Sequence, residues 1–250
     1  MISYEFVTSS DAIPPGLTCR LTCPSLISDD KPAPSLGTHS DDYNTVRQVS
    51  EFRRACNPTH VSTNDIELVK KELNAIAVYD KPSHLGPKAI VEIGVSGHLL
   101  GRKPTFTWTL VFDKPQDFRY VGIDACKPIP GEMVNRKHVT AQAHDAGKQN
   151  TSVIEHDSFD RPFVFAELKR LGVVTIDFLL IDGMHSIRGA FNDWYYTELL
   201  SDNGVVLIHD TNCFPGPMAL MRAIDRELYD VTEPFKDDAE YGLCVVRKKK

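Results

Sequence analysis

The stretch that decides the fold is TIDFLLIDGMHSIRGAFNDWYYTELLSDNGVVLIHDTN, residues 175–212. It contains two short apolar runs that predict buried strands, Ile176–Ile181 and Gly204–Ile208. The first run is followed at once by Asp-Gly-Met-His, and the second by His-Asp-Thr-Asn. In an open parallel sheet, ligands bind outside the carboxyl ends of the strands. Two strand ends that both carry Asp and His therefore indicate one shared site.

Strands and helices alternate along the chain from residue 88 onward. Besides the two runs above, the pattern predicts strands at Lys88–Ile93, Phe118–Ile123 and Thr151–Glu155, and helices at Arg161–Leu171, 185–201 and Pro217–Leu228. Repeated β–α–β units favour a parallel sheet covered by helices on both faces. Two closing strands, 229–235 and 241–247, flank a short polar turn and must form a hairpin, so the last strand is antiparallel. We therefore expect an α/β fold with a mostly parallel seven-stranded sheet.

The first 80 residues have a different character. Residues 1–45 are rich in Pro, Ser, Thr and Asp, which is typical of an irregular arm. Helical spacing of apolar residues predicts one helix at 44–57 and a second at 63–78, with Thr63 or Asn64 as its N-cap. We accordingly divide the chain into an irregular arm with a helical N-terminal extension, 1–80, and an α/β domain, 81–250.

Composition narrows the class of protein. The chain has 250 residues, of which 42% are apolar and 25% are charged, as in soluble globular proteins. Its net charge of −6 does not favour nucleic-acid binding. No apolar run is long enough to span a bilayer, and the N-terminus lacks the features of a secretory signal. The six cysteines are scattered, so we expect free thiols in the reducing cytoplasm and no membrane partner.

A glycine-containing turn follows the first predicted strand, which reads AIVEIGVSGHLLG from residue 89. Gly94 and Gly97 allow the backbone to approach a ligand closely, and Glu92 interrupts an otherwise apolar run. Asp124 ends the next strand, where an acidic side chain can accept hydrogen bonds from both hydroxyls of a ribose. A tight turn without ligand, and an Asp that caps a loop, are the structural alternatives.

Asp157 and Ser158 follow the third predicted strand. Their side chains could hydrogen-bond the edge of a nucleotide base. They could equally cap the helix predicted to begin near Arg161. The residues by themselves do not decide between these two roles.

Together, Glu92–Gly97, Asp124, Asp157-Ser158 and Asp182 resemble the class I S-adenosylmethionine (SAM)-dependent methyltransferases, which have a Rossmann-like sheet. The resemblance implies that the glycine turn contacts the methionine part of SAM, Asp124 the ribose, and Asp157 and Ser158 the adenine. Glu92 and Asp182 are counted with them as predicted cofactor-binding residues. No third glycine occurs at the spacing of NAD-binding proteins. The chain departs from the family at 98–117, where Thr105–Phe112 is predicted to be strand-like rather than helical.

The segment 175–212 is similar to small-molecule O-methyltransferases of the macrocin and cephalosporin-biosynthesis types, which carry Asp-Gly-x-His after the fourth strand. The likeness covers 88–247 in outline. It implies metal ligands at Asp182, His209 and Asp210, where the residue at the position of His209 is usually acidic. The histidine leaves three alternatives open: Mg²⁺ or another oxygen-preferring cation, a softer ion, or no ion.

The chemistry of methyl transfer supports the same residues. The acceptor oxygen must line up with the methyl group and lose its proton, which requires a base or a metal ion. His185 has a side chain that titrates near neutrality and is the candidate base, with Asp182 beside it as the second catalytic residue. The alternatives are that His185 only donates to a neighbouring carboxylate at a helix start, and that Asp210 caps a turn.

The helix predicted after His185 carries an aromatic cluster and an arginine. The aromatic residues Trp194, Tyr195 and Tyr196 are expected in the core rather than in a substrate platform. Arg188 could bind an acidic substrate or pair with Asp193. The sequence thus predicts an enzyme that transfers a methyl group from SAM to a hydroxyl of a small molecule, with self-association left open. The alternatives are a ribose methyltransferase of RNA caps, which would usually require a catalytic lysine, and a non-catalytic SAM-binding scaffold.

Overall fold

A computed structural model describes residues 61–95, 105–125, 138–234 and 241–250 of the chain, without the side chain of His138. The predicted arm, the predicted helix at 44–57 and Gly97 lie outside these ranges. Among the described residues, no helix combines the length and the apolar character needed to cross a membrane.

The described ranges contain alternating strands and helices. The strands are β1 Ala89–Ile93, β2 Arg119–Asp124, β3 Thr151–Glu155, β4 Ile176–Ile181, β5 Leu200–His209, β6 Tyr229–Thr232 and β7 Leu243–Lys248. The α-helices are α1 Thr63–Ala77, α2 Phe106–Phe112, α3 His138–Asp145, α4 Arg161–Arg170, α5 Ile187–Trp194 and α6 Pro215–Ala223. Short 3₁₀ helices span Ser83–Leu85 and Tyr195–Leu199.

The seven strands form one sheet in the order β3-β2-β1-β4-β5-β7-β6. Strands β1 to β5 pair in parallel, whereas β7 lies antiparallel between β5 and β6. This arrangement confirms the predicted α/β fold class, a mostly parallel sheet with an antiparallel last strand. The chain runs outward from β1 to β3 and then returns to place β4 on the other side of β1. The β1–β4 boundary is therefore the topological switch point, where open α/β sheets bind ligands.

Both faces of the sheet are covered by helices, which explains why the central strands are mostly apolar. On one face, α1, α2 and α3 pack on residues such as Ile90, Leu180 and Leu207. On the other face, α4, α5 and α6 pack on residues such as Val91, Leu179 and Val206. Each such side chain contributes about 1.5–3 kcal/mol when it leaves water. The predicted second helix is thus α1, and its apolar stripe forms part of the sheet's cover.

The start of α1 differs from the prediction by one residue, because the N-cap is Ser62 rather than Thr63 or Asn64. Ser62 has extended backbone geometry, and its Oγ accepts a hydrogen bond of 3.1 Å from the Asp65 N–H. The Asp65 carboxylate in turn accepts from the Ser62 N–H at 3.0 Å. This reciprocal pair is a capping box, which Thr63 and Asn64 cannot form from inside the helix.

The prediction that Thr105–Phe112 is strand-like was wrong, because Phe106–Phe112 forms α2. Thr105 caps the helix by accepting a 3.1 Å hydrogen bond from the Trp108 N–H. The helix buries Phe106 and Leu110 against the sheet. Threonine, valine and aromatic residues prefer strands only weakly, so this burial outweighs their local preference.

Two other predicted helices are shorter in the structure. The predicted helix at 185–201 is α5, a 3₁₀ turn and the beginning of β5, which starts at Leu200 rather than Gly204. An irregularity in pairing beside Ile176 allows Leu200 to join the sheet. The helix predicted at Pro217–Leu228 is α6, which begins at Pro215, since proline suits the first turn of a helix.

Candidate active site

The register of the sheet aligns the residues that follow its central strands. Ile93 of β1 pairs with Ile123 of β2 and Ile181 of β4, and Ile181 pairs with Ile208 of β5. The next residues along each strand, Asp124, Gly94, Asp182 and His209, therefore come side by side at one edge of the sheet. This row brings most of the predicted site residues together.

Asp182, His209 and Asp210 form a compact cluster at this edge. The Nδ1 atom of His209 lies 3.1 Å from Asp182 Oδ1 and 3.4 Å from Asp210 Oδ1. One potential ligand atom from each residue lies within 4.8 Å of the others. Two carboxylates and an imidazole at this spacing could hold a divalent cation. The predicted set of metal ligands is thus assembled in one place.

His185 faces the same two carboxylates from the turn before α5. Its Nε2 atom lies 2.8 Å from Asp210 Oδ2 and 3.7 Å from Asp182 Oδ1. The imidazole stacks on the ring of Phe214, with centroids 4.3 Å apart and planes inclined by 14°. Its side chain is 29% exposed, compared with 7% for His209, so a substrate can reach His185 more easily.

Asp210 has a left-handed backbone conformation with φ of 62°. Aspartate is one of the few non-glycine residues that tolerate this region, and such strain is common at functional sites. The Asp210 carbonyl accepts hydrogen bonds from the Cys213 and Phe214 N–H groups, each at 3.1 Å. The backbone thus closes the turn, while the carboxylate is left to face His185 and His209.

The cluster is strongly coupled by charge. Burial raises the pKa of Asp182, but the facing imidazoles of His209 and His185 outweigh it and lower the pKa to about 2. Burial lowers the pKa of His185, but Asp182 and Asp210 outweigh it and raise the pKa to about 9. His209 has the same balance, with a pKa of about 9. Without a bound cation, Asp182 is therefore negatively charged and the two imidazoles are positively charged at neutral pH.

Gly94 joins the glycine turn to the Asp182 turn. Its φ is 90°, and a Cβ atom at this position would overlap the Asp182 carbonyl group. The Gly94 N–H donates to Ile123 O at 3.0 Å, and the Asp182 N–H donates to Ile93 O at 2.9 Å. Only glycine allows this approach of the two turns.

Asp124 stabilises the glycine turn from the end of β2. Its Oδ2 atom accepts a 3.0 Å hydrogen bond from the Val95 N–H. The predicted ribose-binding residue therefore lies next to the predicted glycine turn, as expected for a shared ligand site. Gly97, the other predicted glycine, is outside the described residues.

Glu92 was predicted to bind the cofactor, and the structure places its side chain against α2. It is 1% exposed and accepts a 2.9 Å hydrogen bond from Thr107 Oγ1 and another from the Tyr120 hydroxyl. Burial raises the pKa of Glu92 to about 8, against the lowering effect of these hydrogen bonds. In this arrangement, the carboxyl group holds the start of α2 against the sheet.

Asp157 and Ser158 do not cap α4, so the second of their two predicted roles is excluded. The cap is Asp160, whose carboxylate accepts from the Phe163 N–H at 3.3 Å. Asp157 instead accepts from the Phe159 N–H at 3.1 Å. Ser158 Oγ donates to Asp193 Oδ1 at 2.7 Å.

Asp193 was not identified as a site residue from the sequence. It is buried in α5 and also accepts a hydrogen bond of 3.2 Å from Asn192 Nδ2, while its other carboxylate oxygen lies against Gly183. Burial raises the pKa of Asp193 to about 7. The sequence feature that could have indicated Asp193 is its position beside Trp194, on the inward face of a short helix. Asp193 connects the turn after β3 with the turn after β4.

The remaining side chains behave largely as predicted. Trp194 and Tyr196 are fully buried in the core, whereas Tyr195 is half-buried with the guanidinium of Arg161 3.7 Å above its ring. The guanidinium of Arg188 lies 5.2 Å from the ring of Phe159. The hydrogen bonds of Asp193 come instead from Ser158 and Asn192.

Concavity alone does not mark this cluster. A cavity of about 330 Å³ opens beside edge strand β3, where it is lined by residues of α4 such as Phe163 and Arg170. None of Asp182, His185, His209 and Asp210 lines it. The site is therefore marked by its side-chain chemistry, the register of the sheet and the switch point, and not by the size of a cavity.

No protein-family model matches this chain, and no curated protein matches it in sequence. Solved structures do match. One is apo CalS11, a TDP-rhamnose 3′-O-methyltransferase of calicheamicin biosynthesis, with a TM-score of 0.51, 15% identity and coverage of 85% of this chain and 96% of that chain. Another is an rRNA methylase from Streptococcus thermophilus, with a TM-score of 0.51, 11% identity and coverage of 74% and 96%.

These similarities confirm the fold that the resemblance implied. At identities of 15% and 11%, a shared structure establishes a Rossmann-like methyltransferase fold and nothing finer. One match is named for a sugar nucleotide acceptor and the other for an RNA acceptor. The fold therefore does not select the acceptor, and the side chains of the site must do so.

Proposed function

We propose that this protein transfers the methyl group of S-adenosylmethionine to a hydroxyl of a small molecule, with His185 as the base. The observation that supports this most is the contact between Gly94 and Asp182 at the switch point. It places a candidate cofactor turn directly beside the cluster of carboxylates and imidazoles. A cofactor bound at the glycine turn would present its methyl group to the cluster of carboxylates and imidazoles.

The cofactor would lie across the carboxyl ends of β1, β2 and β3. The turn at Gly94 would contact the methionine part of SAM, and Asp124 would accept hydrogen bonds from its ribose. Asp157 and Ser158 would contact adenine, and Asp182 would lie between the cofactor and the acceptor. This assignment extends the row of residues that the sheet register creates.

In the reaction, a new bond forms between the acceptor oxygen and the methyl carbon as the carbon–sulfur bond breaks. The proton of the acceptor hydroxyl passes to the imidazole of His185, and S-adenosylhomocysteine leaves with a neutral sulfur. Stacking on Phe214 and the 2.8 Å approach to Asp210 hold the imidazole in place. Orientation of this base and of the acceptor accounts for much of the expected rate increase.

Asp182, His209 and Asp210 have the donor types and the spacing that a divalent cation needs. When bound there, a cation would offset the carboxylate charge next to His185 and polarise the acceptor hydroxyl. Neutral imidazole is the form of His185 that accepts a proton. We therefore include metal assistance in the proposal.

A small-molecule acceptor is favoured over RNA by charge. The chain carries a net charge of −6, and neither 182–185 nor 209–212 contains a lysine. An RNA-binding surface usually requires clustered basic residues. We also propose a cytoplasmic location, on the basis of the scattered cysteines, and leave self-association to measurement.

Calorimetric titration with SAM and S-adenosylhomocysteine tests the cofactor site. We expect micromolar binding that Asp124→Ala abolishes and that Asp117→Ala, an exposed residue near the start of β2, leaves intact. Transfer from labelled SAM to a panel of hydroxyl compounds and RNAs would then identify the acceptor. Absence of binding of either compound would overturn the proposal, and cofactor binding without transfer to any acceptor would favour a scaffold.

A further inference from the structure

We propose that the cluster selects a first-row transition metal such as Mn²⁺, Fe²⁺ or Co²⁺ over Mg²⁺, because His209 supplies an imidazole nitrogen as a ligand. This inference rests on the metal-assisted form of the proposed function. It specifies the class of cation, which neither the fold nor the acceptor chemistry determines. The residues that carry it are Asp182, His209 and Asp210.

The ring of His209 is fixed so that one nitrogen faces the carboxylates. The ring meets Phe106 edge-on, with centroids 4.9 Å apart and planes at 82°, and the ring of Tyr241 lies 6.1 Å away. Nε2 is buried and has no hydrogen-bond partner among the described residues. Nδ1 is the atom that lies within 3.4 Å of both Asp182 and Asp210. The imidazole therefore offers Nδ1 to any ion between the carboxylates.

The distances between donor atoms match those around a small cation. Ligands bound at about 2.1 Å lie about 3.0 Å apart when at right angles and about 3.4 Å apart in a tetrahedron. The distances from His209 Nδ1 to the two carboxylates are 3.1 and 3.4 Å. The cluster therefore needs little rearrangement to bind an ion of this size.

The donor set then determines which ion is preferred. Mg²⁺ favours oxygen ligands and retains several waters, whereas imidazole nitrogen suits the transition metals. For a site of mixed nitrogen and oxygen ligands, affinity rises from Mn²⁺ through Fe²⁺ and Co²⁺. An acidic residue in place of His209 would restore an all-oxygen set and weaken this preference.

The alternative is that His209 occupies the place of a cation and holds the two carboxylates by hydrogen bonds alone. The 3.1 Å separation of Nδ1 and Asp182 Oδ1 satisfies this geometry as well. The two possibilities differ in whether added Mn²⁺ binds and whether a nitrogen is bonded to it. The test is therefore a binding experiment that does not depend on catalysis.

We would titrate the full chain with MnCl₂ and record pulsed EPR spectra of the bound ion, which reveal a directly coordinated imidazole nitrogen. Competition with MgCl₂ and CoCl₂ would give relative affinities. The variants are His209→Asn, which puts an amide oxygen near the position of Nδ1, His209→Asp, His185→Gln and the exposed control His84→Asn. Binding of S-adenosylhomocysteine to each sample would show that the cofactor site is intact.

We expect nitrogen coupling in the wild type, in His185→Gln and in His84→Asn, and its loss in both His209 variants. Mg²⁺ should displace Mn²⁺ only at an excess of about 100-fold or more, and this excess should fall about tenfold in His209→Asp. Bound Mn²⁺ without nitrogen coupling in the wild type would overturn the proposal, as would coupling lost only in His185→Gln. Failure of Mn²⁺ to bind while S-adenosylhomocysteine binds would overturn it together with the metal-assisted form of the proposed function, and would leave only methyl transfer without a metal ion.

Discussion

A carboxylate lies near each end of strand β4, and the two ends are opposite in character. Near the amino end, Asp177 is fully buried and accepts hydrogen bonds from Lys81 Nζ at 2.7 Å, Ser201 Oγ at 2.8 Å and the Ala89 N–H at 2.8 Å. The hydroxyl of Tyr79 donates to it as well. Past the carboxyl end, Asp182 instead faces two imidazoles and a second carboxylate.

The difference lies in how completely each carboxylate is compensated. Asp177 has one cation and three neutral donors, which offset the cost of its burial and anchor the segment between α1 and β1. At the other end, charge is balanced by charges that a ligand can replace, and Nε2 of His209 has no partner among the described residues. We infer that the amino end contributes to stability and the carboxyl end to function.

The largest effect that separates the two ends is expected in His185→Gln. Loss of the base should lower the rate of methyl transfer about 100- to 10,000-fold. Its free energy of unfolding should fall by only about 1–2 kcal/mol, because the charge pair that is lost with Asp210 involves a partly exposed imidazole. Single-turnover assays and urea titrations measure the two quantities, with exposed His84→Gln as the control. A variant that retains full activity would remove His185 from the reaction.

Asp177→Ala should show the converse behaviour. It leaves the ammonium of Lys81, 4% exposed, without its carboxylate partner and with only the carbonyls of Pro87 and Thr175 as acceptors, which should cost about 3–5 kcal/mol of unfolding free energy. Asp182→Ala should cost much less, since the imidazoles that face it can lose their protons. Urea titration of both variants, beside the exposed control Asp202→Ala, tests this contrast. Equal losses for Asp177→Ala and Asp182→Ala would break the comparison.

Gly94→Ala extends the comparison to the carboxyl end of β1. An alanine would combine a φ of 90° with a clash against the Asp182 carbonyl, so the two turns must separate. We expect a loss of about 1–3 kcal/mol in stability and weaker binding of S-adenosylhomocysteine. Gly147→Ala has a φ of 78° but open space around its Cβ, so it controls for backbone strain alone. Equal effects on cofactor binding in the two variants would contradict the proposed contact.

Glu92 is an intermediate case, since it is buried with two hydroxyl donors and, among the described residues, no cation hydrogen-bonded to it. Its pKa is about 8 in the fold and 4.5 when unperturbed, so between these values the folded state binds a proton that the unfolded state does not. The stability that Glu92 contributes is therefore complete below pH 4.5 and is lost as the pH rises toward 8.

Glu92→Gln should thus be less sensitive to pH than the wild type, and the difference between them should appear between about pH 5 and pH 8. Denaturant titrations across this range measure it. The exposed control Glu198→Gln should follow the wild-type curve. Parallel curves for Glu92→Gln and the wild type would show that the carboxyl group is not buried in its protonated form.

Much of this architecture could be predicted from local patterns. Apolar runs bounded by polar residues located β1, β2, β4 and the second half of β5, because a strand buried on both faces must be largely apolar. The prediction for Thr105–Phe112 was wrong because threonine and aromatic residues have only a weak intrinsic preference, and packing against the sheet reversed it. The N-cap of α1 was missed by one residue because a capping box depends on two side chains together.

For the candidate site, the sequence by itself determined which side chains stand at strand ends, since the alternation of strands and helices puts the residues after β1, β2, β4 and β5 at one edge. Only the tertiary structure decided their roles. The register set Gly94, Asp182 and His209 in one row, and packing by Phe106 turned Nδ1 of His209 toward the carboxylates. The link between Ser158 and Asp193 joins residues distant in sequence, so no local pattern could reveal it. The positions of strand ends follow from the local pattern of apolar residues along the chain. The direction of a side chain depends on tertiary contacts with residues that are distant in sequence.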